Sequence, residues 1–396
     1  MTKNPYSEAN LVEQAALEVL ADLGWQVATA TDESFGPTGS LGRTSTREPF
    51  LLSPLRAALQ RLNTGAASPN IEIAIEILTR DRSAMGLVAA NRDLHRLLAD
   101  GVKFEWTEPE TGNVGTETLR AVDWDHPETN DLLAVRQLKV QGPLYACIPD
   151  VVLFVNGLPW VVMEWKATGV SVRDAFDGNL TSYKHPQNGA PALFASNALL
   201  IVSNGSAAKV GSLTADWDRF FDWKRIASED EPRRISLDVL LRGTCEPGRL
   251  FDLVRNFTLF SAHKSGLSKI LGQNHQFLGV NNAIVTTLQA RQKGDGRAGV
   301  FWQTQGSGKS FAMVFYAQKI LRTVPGNWTF VVVTDRAELD DQIAKTFAAC
   351  GAVEDARKCH AQSGAHLRQL LGENHRYVFT LIHKFTTPTC WPRART

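Results

Sequence analysis

With 396 residues, 43% of them hydrophobic, and with 30 glycines and 17 prolines, the chain has globular composition and room for two or more domains, which excludes disorder as its default state. A formal net charge of +1 excludes a globally basic nucleic-acid binder, so any DNA path has to be a local basic groove. The five cysteines (Cys147, Cys245, Cys350, Cys359, Cys390) show no CxxC or zinc-type spacing, which points to free thiols in a reducing, cytoplasmic compartment; Met1 to Leu20 does not read as a leader, and no run approaches the ~18 apolar residues that span a bilayer.

In chain order, residues 7–24 predict an amphipathic helix, with Val12, Ala15, Ala16, Val19, Leu20 and Leu23 at helical spacing. Asn10 and Glu13 resemble a capping pair, and Gly24 is placed to end the helix. Residues 35–49 read as a loop, followed by a helical stretch through Leu62, and the alternation in IEIAIEIL at 71–78 predicts a strand.

Residues 148–168, IPDVVLFVNGLPWVVMEWKAT, carry the strongest chemical signal. Val151 to Val155 and Trp160 to Met163 are strand-length apolar runs around Asn156-Gly157, a dipeptide that tolerates the positive φ of hairpin turns. Glu164 and Lys166 lie two apart, so a strand points both to one face. Burying such charges is costly unless they pair or bind a metal. Two carboxylates, Asp150 and Glu164, suit Mg²⁺, a hard ion that prefers oxygen ligands, and Lys166 suits the attacking water and the phosphate charge of phosphodiester hydrolysis. The order of Pro149-Asp150, a spacer, and Glu164-Trp165-Lys166 resembles the PD-(D/E)xK nuclease motif.

That reading carries a geometric condition. A strict two-residue turn pairs Val155 with Leu158, sets Asp150 opposite Met163, and leaves Asp150 and Glu164 on opposite faces. A bulge or an odd-length loop is therefore required, and Pro159, which cannot donate to a ladder, makes one plausible. The alternative is that Glu164 and Lys166 form a strand-end ion pair. Glu8 or Glu13 could add an acidic ligand, but a solvated or capping carboxylate is the preferred reading of both.

Residues 174–184 predict a helix with Asn179 and Tyr183 four apart on one face, a polar pair within reach of a DNA backbone. Residues 198–206 predict a buried strand ending in a polar turn, SEDEPRR at 228–234 a surface loop, and the stretch from Phe260 to Leu267 a domain boundary.

Residues 299–322 predict an apolar strand, a glycine-rich turn and a helix, the arrangement of a nucleotide phosphate loop. Gln305, Gly306, Ser307 and Gly308 would wrap ATP phosphates with their backbone, Lys309 would meet the β- and γ-phosphates, and Ser310 would hold Mg²⁺. Gln303 occupies the first glycine position of the general GxxxxGK[ST] pattern, a departure from it. Residues 328–343 predict a strand, a turn and a helix start, and 377–385 another strand, which together imply a parallel sheet covered on both faces. Gln276 lies where superfamily 2 helicases often place a glutamine that reads adenine.

Both centres in one chain resemble the restriction (R) subunit of type I restriction-modification enzymes, from Leu11 to about Phe385. The resemblance rests on LGR at 41–43, PDVVLFVNGLPWVVMEWK at 149–166, NLTSYK at 179–184, LFASNALLIVSNG at 193–205, HQFLGVNNAI at 275–284, WQTQGSGKS at 302–310 and VVVTDRAELDDQ at 331–342. Some members have Gln where this chain has Asn179 in a Gln-x-x-x-Tyr element. The resemblance implies an α/β protein: a PD-(D/E)xK nuclease domain over 1–260, then an incomplete RecA-like superfamily 2 helicase domain over 261–385, with an atypical tail, TTPTCWPRART, over 386–396. It further implies ATP-driven translocation of double-stranded DNA by a complex with methyltransferase (M) and specificity (S) subunits, and Mg²⁺-dependent cleavage by this subunit. A second carboxylate motif and a second RecA-like domain are not found, so the chain reads as truncated or frame-shifted, expected to bind ATP weakly and not to hydrolyse it. Two other readings remain: another helicase-linked DNA-repair nuclease, or a non-catalytic remnant that docks on partner subunits or DNA.

Overall fold

A six-stranded mixed sheet supports the first half of the chain, and its strands lie side by side in the order in which they occur: β1 (Gln26–Thr29), β2 (Leu132–Arg136), β3 (Val151–Val155), β4 (Leu158–Trp165), β5 (Leu199–Ser203) and β6 (Ala208–Gly211). β1 with β2 and β4 with β5 are parallel; the other neighbours are antiparallel. The computed structural model describes residues 8–36, 38–107, 112–228, 230–232, 234–264 and 266–385. The tail at 386–396 lies outside them.

β3, β4 and β5 are buried at every position, which explains why they read as unbroken apolar runs rather than alternating ones. One face packs Val152, Phe154, Val162, Leu200 and Val202 against Leu180, Leu193 and Phe194. The parallel β4–β5 pair needs a crossover, and the helix at 172–183 belongs to it. This helix is α-helical at both ends, with a π-helical turn over Ala175–Leu180.

The helix α1 (Glu8–Asp22) forms as expected and stops at Gly24, whose φ is 92°. Its buried face consists of Val12, Glu13, Ala16, Leu17 and Leu20, while Ala15 is exposed. The Asn10 side chain, one half of the expected capping pair, lies outside the described residues.

The strand expected at 71–78 is a helix, Ser68–Thr79. Ile71, Ala74, Ile75 and Leu78 are its buried residues, a spacing of three and four that the apparent alternation concealed. Pro69 in the first turn, where a missing N–H costs nothing, favours the helix.

The chain divides into two compact units, one reaching Thr258 and including Lys269–Asn274, the other comprising Leu259–Ser268 and the chain from His275 onward. In the second, Phe330–Thr334 and Tyr377–Leu381 pair in parallel, accompanied by helices Asn274–Lys293, Lys309–Thr323, Ala337–Ala349 and Gly364–Gly372. The strand expected before the glycine turn is absent: residues 299–304 are irregular, with Val300 and Trp302 exposed. An apolar run becomes a strand only beside a ladder partner, and this segment has none among the described residues. The expected double coverage is also incomplete, since Val331 and Val333 of the first strand are 39% and 44% exposed.

Candidate active site

The hairpin that carries the carboxylates has the irregularity its chemistry demands. Asn156 (φ 49°) and Gly157 (φ 77°) are both left-handed, as a two-residue type I′ turn requires. Asn156 is fully buried: its Nδ2 donates to Ala121 O (2.9 Å) and Asn130 Oδ1 (2.8 Å), and its Oδ1 accepts from Asp131 N (2.8 Å). The ladder begins Val155 to Leu158 and Phe154 to Pro159, then slips, so that Leu153 faces Val161 and Trp160 is the extra residue. The carbonyls displaced from the ladder are taken by residues 196–198: Trp160 O accepts from Ala198 N (2.6 Å) and Asn197 Nδ2 (3.2 Å), and Pro159 O from Ser196 Oγ (2.7 Å). The Trp160 ring is buried between Trp124 and Phe251, 5.8 and 5.1 Å away.

After the bulge Val151 faces Met163, the last pair of the ladder, and the same register carried one step outward sets Asp150 opposite Glu164. Directly opposed residues share a face, so the slip brings the two carboxylates together. Asp150 Oδ2 accepts from Trp165 N at 2.8 Å, and Oδ1 from Gln137 Nε2 at 3.2 Å. Lys166 Nζ donates to Asn179 Oδ1 (2.9 Å), and Asn179 Nδ2 donates to Glu164 Oε2 (2.6 Å), so one amide bridges the lysine and the acid. Asn179 Nδ2 also reaches Tyr183 Oη (3.3 Å), which donates to Ile148 O at 3.3 Å. Asn179 and Tyr183, expected to reach outward to DNA, are thus drawn inward to the acid cluster. Asn179 lies in the π-helical turn, a device common at functional sites.

Glu164 is 1% exposed, and its Oε1 is buried with no hydrogen-bond donor aligned on it. Burial above all, then the Asp150 carboxylate, raise its pKa well above the ordinary range, against the opposing pull of Tyr183 and Lys166. Burial and the Glu164 charge likewise push the Tyr183 phenol upward. Two buried carboxylates brought together against one ammonium fit a hard divalent cation held by oxygens. Asp150 and Glu164 would hold it. Among the described residues no group of three or more His, Cys, Asp or Glu is placed to hold a metal, so the remaining ligands would be water and substrate oxygens.

Gln137 reaches this cluster directly, and Glu13 and Arg136 stand behind it. Glu13, set aside above as solvated or capping, is 2% exposed and paired with Arg136 at 2.8 Å; Gln137 Nε2 lies 3.4 Å from its Oε2. The sequence did hold a signal for Glu13, since it shares a helix face with Leu17 and Leu20, four and seven residues on. Gln137 carries no such signal. The Glu8 side chain lies outside the described residues.

At the second centre, Gly306 (φ 79°) and Gly308 (φ 81°) are left-handed and the helix begins at Lys309. Lys309 Nζ donates to Gln303 O (2.8 Å) and Thr304 O (3.1 Å), closing the turn on itself. Gln305 is exposed, and Ser310 is half-buried in the first turn of the helix. Gln276, expected to read adenine, donates to Gly308 O at 3.0 Å and lies 3.4 Å from Ser307 O, which also meets His275 Nε2 at 3.1 Å.

Comparison with known proteins places both regions. Residues 5–219 match the family described as type I restriction enzyme R protein N terminus, and residues 275–394 match SWI2/SNF2 ATPase. The chain is 36% identical over 390 residues to the type I restriction enzyme HindI endonuclease subunit of Haemophilus influenzae, covering 95% of this chain and 36% of that one. It is 28% identical over 417 aligned positions to the putative type I restriction enzyme MjaIXP endonuclease subunit of Methanocaldococcus jannaschii, covering 96% and 37%. The chain therefore spans little more than a third of the length of these relatives.

Proposed function

Because the chain belongs to the type I restriction enzyme R protein family at its N terminus, we propose that its first unit is a PD-(D/E)xK endonuclease domain, about residues 1–260, that hydrolyses double-stranded DNA with Mg²⁺. One observation carries this reading above the others: the Trp160 bulge puts Asp150 and Glu164 on one face of the hairpin, with both acids buried and Asp150 Oδ2 held by Trp165 N. A strand-end ion pair would need neither feature.

A divalent cation, when bound, supplies Lewis-acid activation of water and of the scissile phosphate. The side chains do the rest. Asp150 and Glu164 offer oxygens that burial keeps unsolvated, so both gain from a cation more than exposed acids would. Lys166, steered by Asn179 Oδ1, directs an ammonium toward the phosphate and the attacking water. Asn179 and Tyr183 hold Glu164 and Lys166 in register. Water attacks phosphorus and releases one proton to solvent, the P–O bond to the leaving sugar oxygen breaks, and that oxygen takes a proton from solvent.

The second unit is read as part of an ATP-binding RecA-like domain, about residues 261–385, with Lys309 and Ser310 for Mg-ATP. Its parallel strands Phe330–Thr334 and Tyr377–Leu381 do not end in paired acids, and among the described residues no other strand of this unit does, so the chain alone is expected to bind ATP without turnover. In a full assembly with methyltransferase and specificity subunits in the cytoplasm, ATP-driven translocation would deliver unmodified DNA to the nuclease. The test is nicking of supercoiled plasmid by the purified chain with Mg²⁺, beside Glu164→Ala and Lys166→Ala. Cutting that chelator and both substitutions abolish supports the reading; cutting that survives them overturns it.

A further inference from the structure

Gln137 stands immediately after β2, and its φ of 54° puts a non-glycine residue in the left-handed region, at a cost of roughly 1 kcal/mol or more. The surrounding contacts account for it. In a regular strand Arg136 and Gln137 would point to opposite faces. Here both reach the same carboxylate: Arg136 Nε lies 2.8 Å from Glu13 Oε1, and Gln137 Nε2 lies 3.4 Å from Glu13 Oε2. The left-handed step turns Gln137 back so that its amide stands between two acids, 3.2 Å from Asp150 Oδ1. Its own N–H donates to Asp150 O at 2.9 Å, tying the backbone of the two residues together as well.

Asp150 has one oxygen held by Trp165 N and the other by Gln137, so the plane of its carboxylate is fixed from both sides. Glu13 in turn is anchored by Arg136, whose side chain is 37% exposed. The row Arg136, Glu13, Gln137, Asp150 therefore runs from the surface through α1 to the acid cluster, and Gln137 is the neutral link between two carboxylates that would otherwise repel each other. We propose that Gln137 is a positioning residue for metal binding: its amide, aimed by a left-handed backbone, orients Asp150 toward Glu164 and holds Glu13 as a fixed buttress behind it. Glu13 is then a support rather than a ligand.

The inference rests on the nuclease reading for its consequence but not for its test, since metal affinity is measurable without cleavage. Titration of the full chain with Mn²⁺, followed by electron paramagnetic resonance, is compared for wild type, Gln137→Gly and Gln137→Ala, alongside thermal melting. Gly keeps the left-handed backbone at no steric cost and removes only the amide; Ala removes the amide and adds strain. Both variants are expected to bind Mn²⁺ about 10- to 100-fold more weakly, as for other outer-shell partners of metal ligands. Only Ala should melt markedly lower. In plasmid nicking, raising Mg²⁺ should restore the Gly variant toward the wild-type maximal rate, with the loss confined to the metal concentration needed. Wild-type Mn²⁺ affinity in Gln137→Gly would overturn the proposal. So would a loss of affinity seen only in Ala and in step with its melting temperature, which would make Gln137 a backbone feature alone. Metal binding that follows the expected pattern in a chain that never cuts DNA would leave the positioning role standing and remove the nuclease reading.

Discussion

Asp150 and Glu164 face each other across the β3–β4 hairpin because Trp160, four residues before Glu164, has no partner in the ladder. A single unpaired residue decides the parity of the strand, and the parity decides whether two acids share a face. The bulge is stabilised locally, by three donors from 196–198 to the carbonyls of Pro159 and Trp160 and by burial of the indole against Trp124 and Phe251. Removing Trp160 altogether should therefore separate the acids even if the strands still pair.

The turn is the second fixed point of this register. Asn156→Ala removes four side-chain hydrogen bonds, two of them fully buried, and leaves a left-handed alanine, and should destabilise the first unit by about 2–4 kcal/mol. Urea unfolding of the full chain, followed by tryptophan fluorescence, measures it. A change below about 0.5 kcal/mol would mean that the turn does not hold the register.

Glu164 makes stability depend on pH and on metal together. Its folded-state pKa is raised by burial and by Asp150, so the folded chain binds this proton more tightly than the unfolded one. The penalty for ionising Glu164 is absent below the ordinary carboxylate range, grows as pH rises toward the raised value, and is complete above it. Without metal, Glu164→Gln should melt higher than wild type at pH 8, with the difference shrinking as pH falls toward 5. Added Mg²⁺ should raise the wild-type melting temperature most at the higher pH and should leave Glu164→Gln unmoved. Equal metal effects in the two proteins would contradict the assignment.

Asn179 bridges Lys166 and Glu164 with one amide. Asn179→Leu, which keeps the branched outline but removes both polar atoms, should lower Mg²⁺-dependent nicking about 10- to 100-fold, with DNA affinity in a gel-shift assay unchanged. Loss of DNA affinity with normal cutting would return Asn179 to the outward-facing role first expected for it.

In the glycine turn, Lys309 closes on Gln303 O and Thr304 O and Gln276 closes on Gly308 O. Lys309→Ala should weaken binding of a fluorescent ATP analogue about tenfold or more, and steady hydrolysis by the chain alone should be undetectable in both proteins. Turnover that disappears in Lys309→Ala would show that this chain carries a working ATPase.

The need for a bulge is legible in the sequence, because two acids proposed for one cation have to share a face and a strict turn forbids it. Its position is not, since Trp160 is extruded by contacts with residues 196–198 that sequence spacing does not reveal. The segment at 71–78 misled because Ile71, Ile73, Ile75 and Ile77 satisfy period two while Ile71, Ala74, Ile75 and Leu78 satisfy the helix; Ser68-Pro69 favoured the latter. Glu13 is readable on its helix face, which it shares with Leu17 and Leu20. Gln137 could not be read at all, since its left-handed backbone is imposed by Glu13 and Asp150, far away in sequence. Val300 and Trp302 looked like strand residues only because apolarity was read without a ladder partner.

The most direct test of the central claim is anomalous diffraction from crystals of the full chain soaked in Mn²⁺. A peak within about 2.0–2.3 Å of oxygens from both Asp150 and Glu164 is the expected result, absent in Glu164→Gln. No peak there at saturating Mn²⁺, or a hairpin whose Asp150 and Glu164 point to opposite faces, would contradict the account.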